Sequence, residues 1–178
     1  MLDLLKKRRS TRKFKETKIP GDIIDKLIKA ALLSPSSRSI RPWEFIVVTD
    51  KIMLEKLAGS KEHSSSFLKH APLAIIVMAD ETKSDVWVED TSIASIIIQL
   101  TAETMGLGSC WIQIRNRMHN STQTAEKYIK ELLAIPDNYK IESIIALGYP
   151  DENKPPYSEE ELKYDVVHMD KYGSQYKY

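Results

Sequence analysis

The residues best equipped for chemistry stand near the start of the chain, in the run Arg8, Arg9, Ser10, Thr11, Arg12, Lys13, Phe14. If that run is extended, its side chains alternate, and Arg8, Ser10 and Arg12 fall on one side with Arg9, Thr11 and Lys13 on the other. One side then offers two guanidinium forks flanking a hydroxyl, a donor set suited to an anion such as a phosphate. A solvated charged face at the end of a first helix, or a nucleic-acid patch, accounts for the same residues. A second cluster fills residues 34–43, where Pro35 and Pro42 bracket Ser36, Ser37, Arg38, Ser39 and Arg41. The prolines restrict the backbone and the serines offer short-range donors, but a turn-rich connection between a helix and a strand has the same composition. No nucleophilic triad or metal cluster suggests itself. Cys110 has no nearby histidine signature, and His63, His70, His119 and His168 lack ligand spacing.

These clusters need a scaffold, and the composition supplies one. A chain of 178 residues, 42% hydrophobic and 29% charged, is a soluble globular mixture large enough for one domain, which excludes wholesale disorder. Net charge is only +1, so the basic run is local, and a protein that coats nucleic acid would show a larger excess. The single cysteine forbids an internal disulfide and fits a reducing compartment. Leu2, Leu4 and Leu5 run straight into charge, without the apolar core of a signal peptide, and the longest apolar stretches are too short to span a bilayer. The expectation is a cytoplasmic protein with no membrane or nucleic-acid partner.

Periodicity places the elements. A short helix over 2–8 leads into the extended cationic segment, and Ile23, Ile24, Leu27, Ile28 and Ala31 mark a helix that stops at Pro35. Residues 43–49 and 72–79 read as buried strands with a short helix at 51–58 between them, and 60–70 as loop and partial helix. Ile93, Ile96, Ile97, Leu100 and Met105 mark a long helix over 86–105, apolar on so broad a face that a partner chain is a natural neighbour. A third strand follows Gly106 and Gly108, then a helix over 121–133 and a fourth strand over 141–148. After Pro150 the chain is too apolar for a free tail and too irregular for a domain, so residues 151–178 are expected to wrap a partner subunit rather than their own core, beyond a main domain of residues 1–150. No strand is followed by a GxGxxG or GxxxxGK[ST] loop. The expected fold is α+β: a mixed, mainly antiparallel central sheet flanked by helices.

Four motifs taken together, RRSTRKF, SPSSRSIRPWEF, GLGSCWIQI and ALGYP, resemble the flavin-dependent nitroreductase family over nearly the whole chain, in order and spacing. None is specific alone; the series is. The resemblance implies a nitroreductase-like α/β sandwich, an interlocked homodimer, and FMN in two pockets at its interface. It implies that Arg8, Arg9, Ser10 and Arg12 serve the FMN phosphate and ribityl chain, with Arg12 toward the pyrimidine edge of the ring. Pro35, Ser36, Ser37 and Ser39 match the loop that the second subunit lays on the flavin, and Trp111, Ile112 and Gln113 the strand whose backbone approaches it. Trp111 and Ile112 also suit a plain buried strand.

The chain departs from the family pattern in places. Ser39 and Arg41 stand where many relatives carry Asn and Gln, and Ser64 and Ser65 occupy a region where Asn and Gln often touch the ring. The basic pair that closes the phosphate site near the C-terminus is not evident: Lys154 and Lys163 match poorly, while Arg115 and Arg117 could supply the charge. The implied activity is reduction of nitroaromatics, quinones or similar small acceptors with NADH or NADPH by a ping-pong cycle, the flavin rather than a side chain carrying the chemistry. Two other classes stay open. One is a flavin carrier, sensor or flavin-modifying relative without efficient turnover. The other is a nucleic-acid module built on Arg8, Arg9, Arg12, Lys13, Arg38, Arg41, Arg115 and Arg117.

Overall fold

A computed structural model gives the fold and describes residues 1–63 and 65–176. Helices α1 (Leu2–Lys7) and α2 (Gly21–Leu32) precede strand β1 (Trp43–Val48) and helix α3 (Lys51–Ala58). Then come β2 (Leu73–Asp80), α4 (Trp87–Thr104), β3 (Gly108–Gln113), α5 (Ala125–Leu133) and β4 (Tyr139–Gly148). The strands form one sheet in the order β1-β2-β4-β3, and every neighbouring pair is antiparallel. The expected α+β architecture with a mainly antiparallel sheet is found, these four strands being antiparallel throughout. The sole parallel pairing among the described residues is an isolated bridge between Ser10 and Ser109, where the cationic segment meets β3.

Both faces of the sheet are covered, which is why its central strands lack polar alternation. All of β2 is buried. On one face Ile76, Ile112, Ile141 and Ile144 pack with Leu54, Leu57 and Ile129 from α3 and α5. On the other, Leu73, Ile75, Val77, Ile145 and Leu147 pack with Leu27 and Ala31 of α2 and Ala94, Ile98 and Ala102 of α4. The α2 periodicity thus does what it promises, with Leu27 and Ala31 on the buried stripe.

Helix α4 turns small and polar residues toward the sheet and leaves part of its apolar face open. Thr91, Ser95 and Gln99 are buried, whereas Ile93 and Ile96 remain 38% and 37% exposed. The small polar residues can face the sheet because their polar atoms are satisfied there: Thr91 Oγ1 donates to the Trp87 carbonyl at 2.7 Å, and Ser95 Oγ meets Ser143 Oγ at 2.9 Å. Helix α5 begins at Ala125 rather than 121, because the Asn120 side chain accepts from the amides of Thr122 and Gln123 to form a turn. Thr124 then caps the helix by accepting from the Lys127 amide at 3.1 Å. The sheet also carries a bulge. Val77 pairs with Ser143 and Met78 with Ile141, which leaves Glu142 as the extra residue.

Candidate functional site

The cationic segment is laid along the free edge of β3. Thr11 donates its amide to the Ser109 carbonyl at 2.9 Å, and further on Lys15 donates to the Tyr149 carbonyl at 2.9 Å. Thr11 and Phe14 are buried at 7% and 6% exposure, so two side chains pin the segment to the sheet. Two glycines make room for them. A Cβ on Gly108 would sit 2.6 Å from Thr11 Oγ1, and one on Gly148 2.8 Å from Phe14 Cδ1.

With the segment fixed in this way, its alternation becomes a division of labour. Arg9 turns toward the C-terminal segment, its guanidinium 4.3 Å from the centre of the Tyr157 ring and bonded to the Pro155 carbonyl. Arg12 takes the other direction, 5.9 Å from the Phe67 ring centre. Burial pushes the Cys110 thiol up from its ordinary value, opposed by Arg12, a hydrogen bond from Ser10, Lys154 and Arg8. Arg8, Ser10, Arg12 and Lys154 thus all act on one buried thiol. Lys154 donates to the Ser10 carbonyl and lies 3.2 Å from the Glu152 carboxylate. Glu152 in turn accepts from the amides of Arg12, at 2.5 Å, and Lys13, at 3.2 Å. Although burial works to raise it, the Glu152 carboxyl is held below its ordinary value by the Arg12 amide, Lys154 and the Lys13 amide. A cavity of about 200 Å³ is lined by Arg9, Thr11, Gly108, Glu152 and Lys154 among others, and not by Arg8, Ser10 or Arg12.

The serine loop is organised separately. Ser37–Ser39 form a single 3-10 turn in which Arg38 and Ser39 take φ of 52° and 54°, and Arg41 follows at 53°. These are left-handed conformations that side chains disfavour. Ser36 Oγ accepts from the Arg41 amide at 2.8 Å, and Arg38 pairs with Asp85 on the surface. Among the described residues no hydrogen bond or ion pair joins this loop to residues 8–12 of the same chain.

On β3, Ile112 points into the core and is 2% exposed, while Trp111 and Gln113 lie half-buried on the opposite face. Trp111 Nε1 donates to Gln113 Oε1 at 2.8 Å, and Gln113 Nε2 donates to Glu142 Oε1 at 2.9 Å. The Arg115 guanidinium stands 5.9 Å from the ring centre of Trp87. Arg117 lines a different cavity, of about 400 Å³, with Lys61, His63 and Asn116. There burial, followed by the positive charge of Arg117, keeps the Lys61 ammonium below its ordinary range.

The model of the Nitroreductase family matches this chain over residues 5–61 and 52–149. The chain belongs to that family. Among solved structures it resembles an FMN-dependent nitroreductase from Clostridium difficile R20291, with 50% identity, a TM-score of 0.96, and coverage of 97% of this chain and 100% of that one. A protein of Methanothermobacter thermautotrophicus, provisionally named an NADH dehydrogenase/NAD(P)H nitroreductase, is 37% identical over 97% of this chain and 87% of its own length. The NADPH:FMN oxidoreductase of Vibrio harveyi, solved in complex with NAD+, is 25% identical with a TM-score of 0.80 over 96% of this chain and 77% of that one.

Within this nitroreductase-family chain, Arg9 turns to Tyr157 and Pro155, while Arg8, Ser10 and Arg12 all act on the Cys110 thiol. Pro35, Ser36, Ser37 and Ser39 form a loop of their own, and Ser64 lies outside the described residues. The extra cation beside Ser10 is Lys154, a poor match to the family pattern, whereas Arg115 goes to Trp87 and Arg117 lies with Lys61. Lys154 carried a faint signal, a lone lysine just after the GYP turn. Glu152 carried none, because nothing in a single sequence shows which acid will bind a backbone amide far along the chain.

Proposed function

We propose that the chain is an FMN-dependent oxidoreductase that draws electrons from NADH or NADPH and reduces small oxidised acceptors such as quinones or nitroaromatics. One observation carries the reading: the cationic segment that holds Arg8, Ser10 and Arg12 is pinned to β3 by the Thr11 amide and braced from the C-terminal side by Lys154 on the Ser10 carbonyl and Glu152 on the Arg12 amide. Guanidinium forks, an ammonium and a hydroxyl match a phosphate and a polar ribityl chain, and the segment's close seat over Gly108 holds them in one geometry. The donor set fits FMN. When bound, FMN supplies two-electron redox chemistry, taking hydride from the nicotinamide and passing electrons to the acceptor in alternating half-reactions.

The chain's own residues then have distinct tasks. Arg8, Ser10 and Lys154 bind the phosphate end, while Arg12 places a fixed positive charge that favours the reduced, more anionic cofactor without having to move. Half-buried Trp111 and Gln113 wall the approach from β3, and their hydrogen bond fixes both side chains. Pro35, Ser36, Ser37 and Ser39 complete the pocket from a second copy of the chain. The exposed Ile93 and Ile96 of α4, with Leu162, Val166 and Met169 of the C-terminal segment, supply apolar surface for such a dimer.

The purified protein is expected to be yellow, or to turn yellow with added FMN, and to oxidise NADH or NADPH when a quinone or nitroaromatic is supplied. A colourless protein that takes up no FMN at micromolar concentration sinks the reading, and flavin binding without nicotinamide oxidation assigns the chain to the carriers or sensors instead. A second expectation concerns the electrostatic role. Arg12 is exposed, so Arg12→Gln leaves the fold intact but weakens FMN binding roughly tenfold, the usual size of a lost charged hydrogen bond. Titration of the flavin fluorescence reads this directly, and full affinity with an unchanged reduction rate would remove Arg12 from the site.

A further inference from the structure

The serine loop holds a backbone that its residues resist. Arg38, Ser39 and Arg41 sit at φ of 52°, 54° and 53°, three non-glycine residues in the left-handed region within four positions. Such conformations persist only where the surroundings over-determine them, and they gather where a protein presents a shaped surface to a ligand. What holds this loop is therefore informative. The surface pair between Arg38 and Asp85 is 64% and 78% exposed at its side chains and contributes little. Ser36 ties the loop only to itself, through the Arg41 amide.

The remaining restraint comes from outside. Asp90, in the first turn of α4, is 2% exposed and makes no ion pair among the described residues. Its Oδ1 accepts from the Ser37 amide at 2.8 Å, and Oδ2 accepts from Ser84 Oγ at 3.3 Å. The carboxylate thus spends its hydrogen bonds away from its own helix. Burying an unpaired carboxylate is costly, and only these donors and the N-terminal end of the α4 dipole offset that cost. We propose that Asp90 is a positioning residue: it clamps the serine loop in its left-handed shape, so that the loop meets FMN already formed. The clamp is a property of this chain, and its tie to FMN rests on the function proposed above.

Two readouts separate the parts. Arg38 is a tryptic site inside the loop, so the rate of nicking there in cofactor-free protein reports loop opening, and FMN fluorescence titration reports the pocket. Asp90→Ala is expected to speed nicking and raise the FMN dissociation constant at least tenfold. Asp90→Asn keeps one acceptor oxygen for the Ser37 amide and should fall between Asp90→Ala and the natural chain. Adding Arg41→Gly, which removes one left-handed penalty at a position the proposed pocket does not use, should recover part of the Asp90→Ala loss. Should Asp90→Ala fail to fold, the Asn variant decides. A lowered melting temperature with natural nicking and natural FMN affinity would show a merely structural acid and overturn the proposal. If the natural chain binds no FMN while Asp90→Asn is still nicked faster, the cofactor reading falls and the clamp stands; unchanged nicking in Asp90→Asn overturns the clamp itself.

Discussion

Gly108→Ala is expected to abolish tight FMN binding while leaving most of the sheet folded. The new Cβ would lie 2.6 Å from Thr11 Oγ1 and 2.7 Å from both Thr11 Cβ and Cγ2. No flexible tip is available to move, because all three atoms belong to a short, branched side chain that is 7% exposed. The Thr11 amide is also bound to the Ser109 carbonyl next door, so a shift of Thr11 carries the backbone with it. The cationic segment must lift from β3, and Ser10 and Arg12 leave their places together. Overpacking of this kind costs about 1–3 kcal/mol in stability, which a chain of this size survives with a lowered melting temperature. Affinity suffers more, since several charged contacts are misplaced at once; a loss of about a hundredfold corresponds to roughly two such hydrogen bonds. Removing the obstructing side chain tests the cause. Thr11→Gly in the Gly108→Ala background should restore part of the affinity, and a double variant as weak as the single one would show that the damage does not run through this contact.

How far these parts were legible follows from what each signal reports. The strands at β1 and β2 and the amphipathic α2 announce themselves because burial on known faces imposes a period or an apolar run. Arg8, Ser10 and Arg12 were legible for the same reason, since alternation in an extended segment is fixed by backbone geometry. Helix α4 was legible in part: its apolar breadth pointed to a second surface, and Ile93 and Ile96 are indeed left exposed, but it did not show which residues meet the sheet. The sheet instead accepts Ser95 and Thr91, whose polar atoms find partners at close range that a sequence does not display. The bulge at Glu142 and the left-handed turns at Arg38, Ser39 and Arg41 were hidden too, for neither a glycine nor an asparagine marks those positions. Lys154 and Glu152 lie some 140 residues from their partners in the cationic segment, beyond the reach of any local pattern.

Removing residues 151–178 is expected to cost both the proposed dimer and the flavin, by two separable routes. The first part of this stretch belongs to its own chain. Glu152 holds the Arg12 and Lys13 amides, Lys154 reaches the Ser10 carbonyl, and Arg9 engages Pro155 and Tyr157. Lys6 pairs with Glu159, and the Tyr157 amide donates to the Lys6 carbonyl at 3.0 Å. The later part is different, with Leu162, Val166, Val167, Met169 and Tyr172 between 40% and 91% exposed. Apolar side chains spread in this way need a surface from elsewhere, and obligate interfaces bury on the order of 2,000 Å² or more, in patches that resemble a divided core. A second copy of the chain is the partner to which the proposed pocket already commits. Removing only 162–178 should therefore weaken dimerisation while the cationic segment keeps its braces, so that FMN affinity falls with the dissociation of the dimer and recovers at high protein concentration. Removing 151–178 also strips Lys154 and Glu152, and affinity should then stay low at every concentration. Sedimentation with flavin absorbance recorded on the same sample distinguishes the cases. A chain ending at Pro150 that remains dimeric and fully loaded would show that the pocket is built without this segment, and that the cations at Arg8 and Arg12 need no support from it.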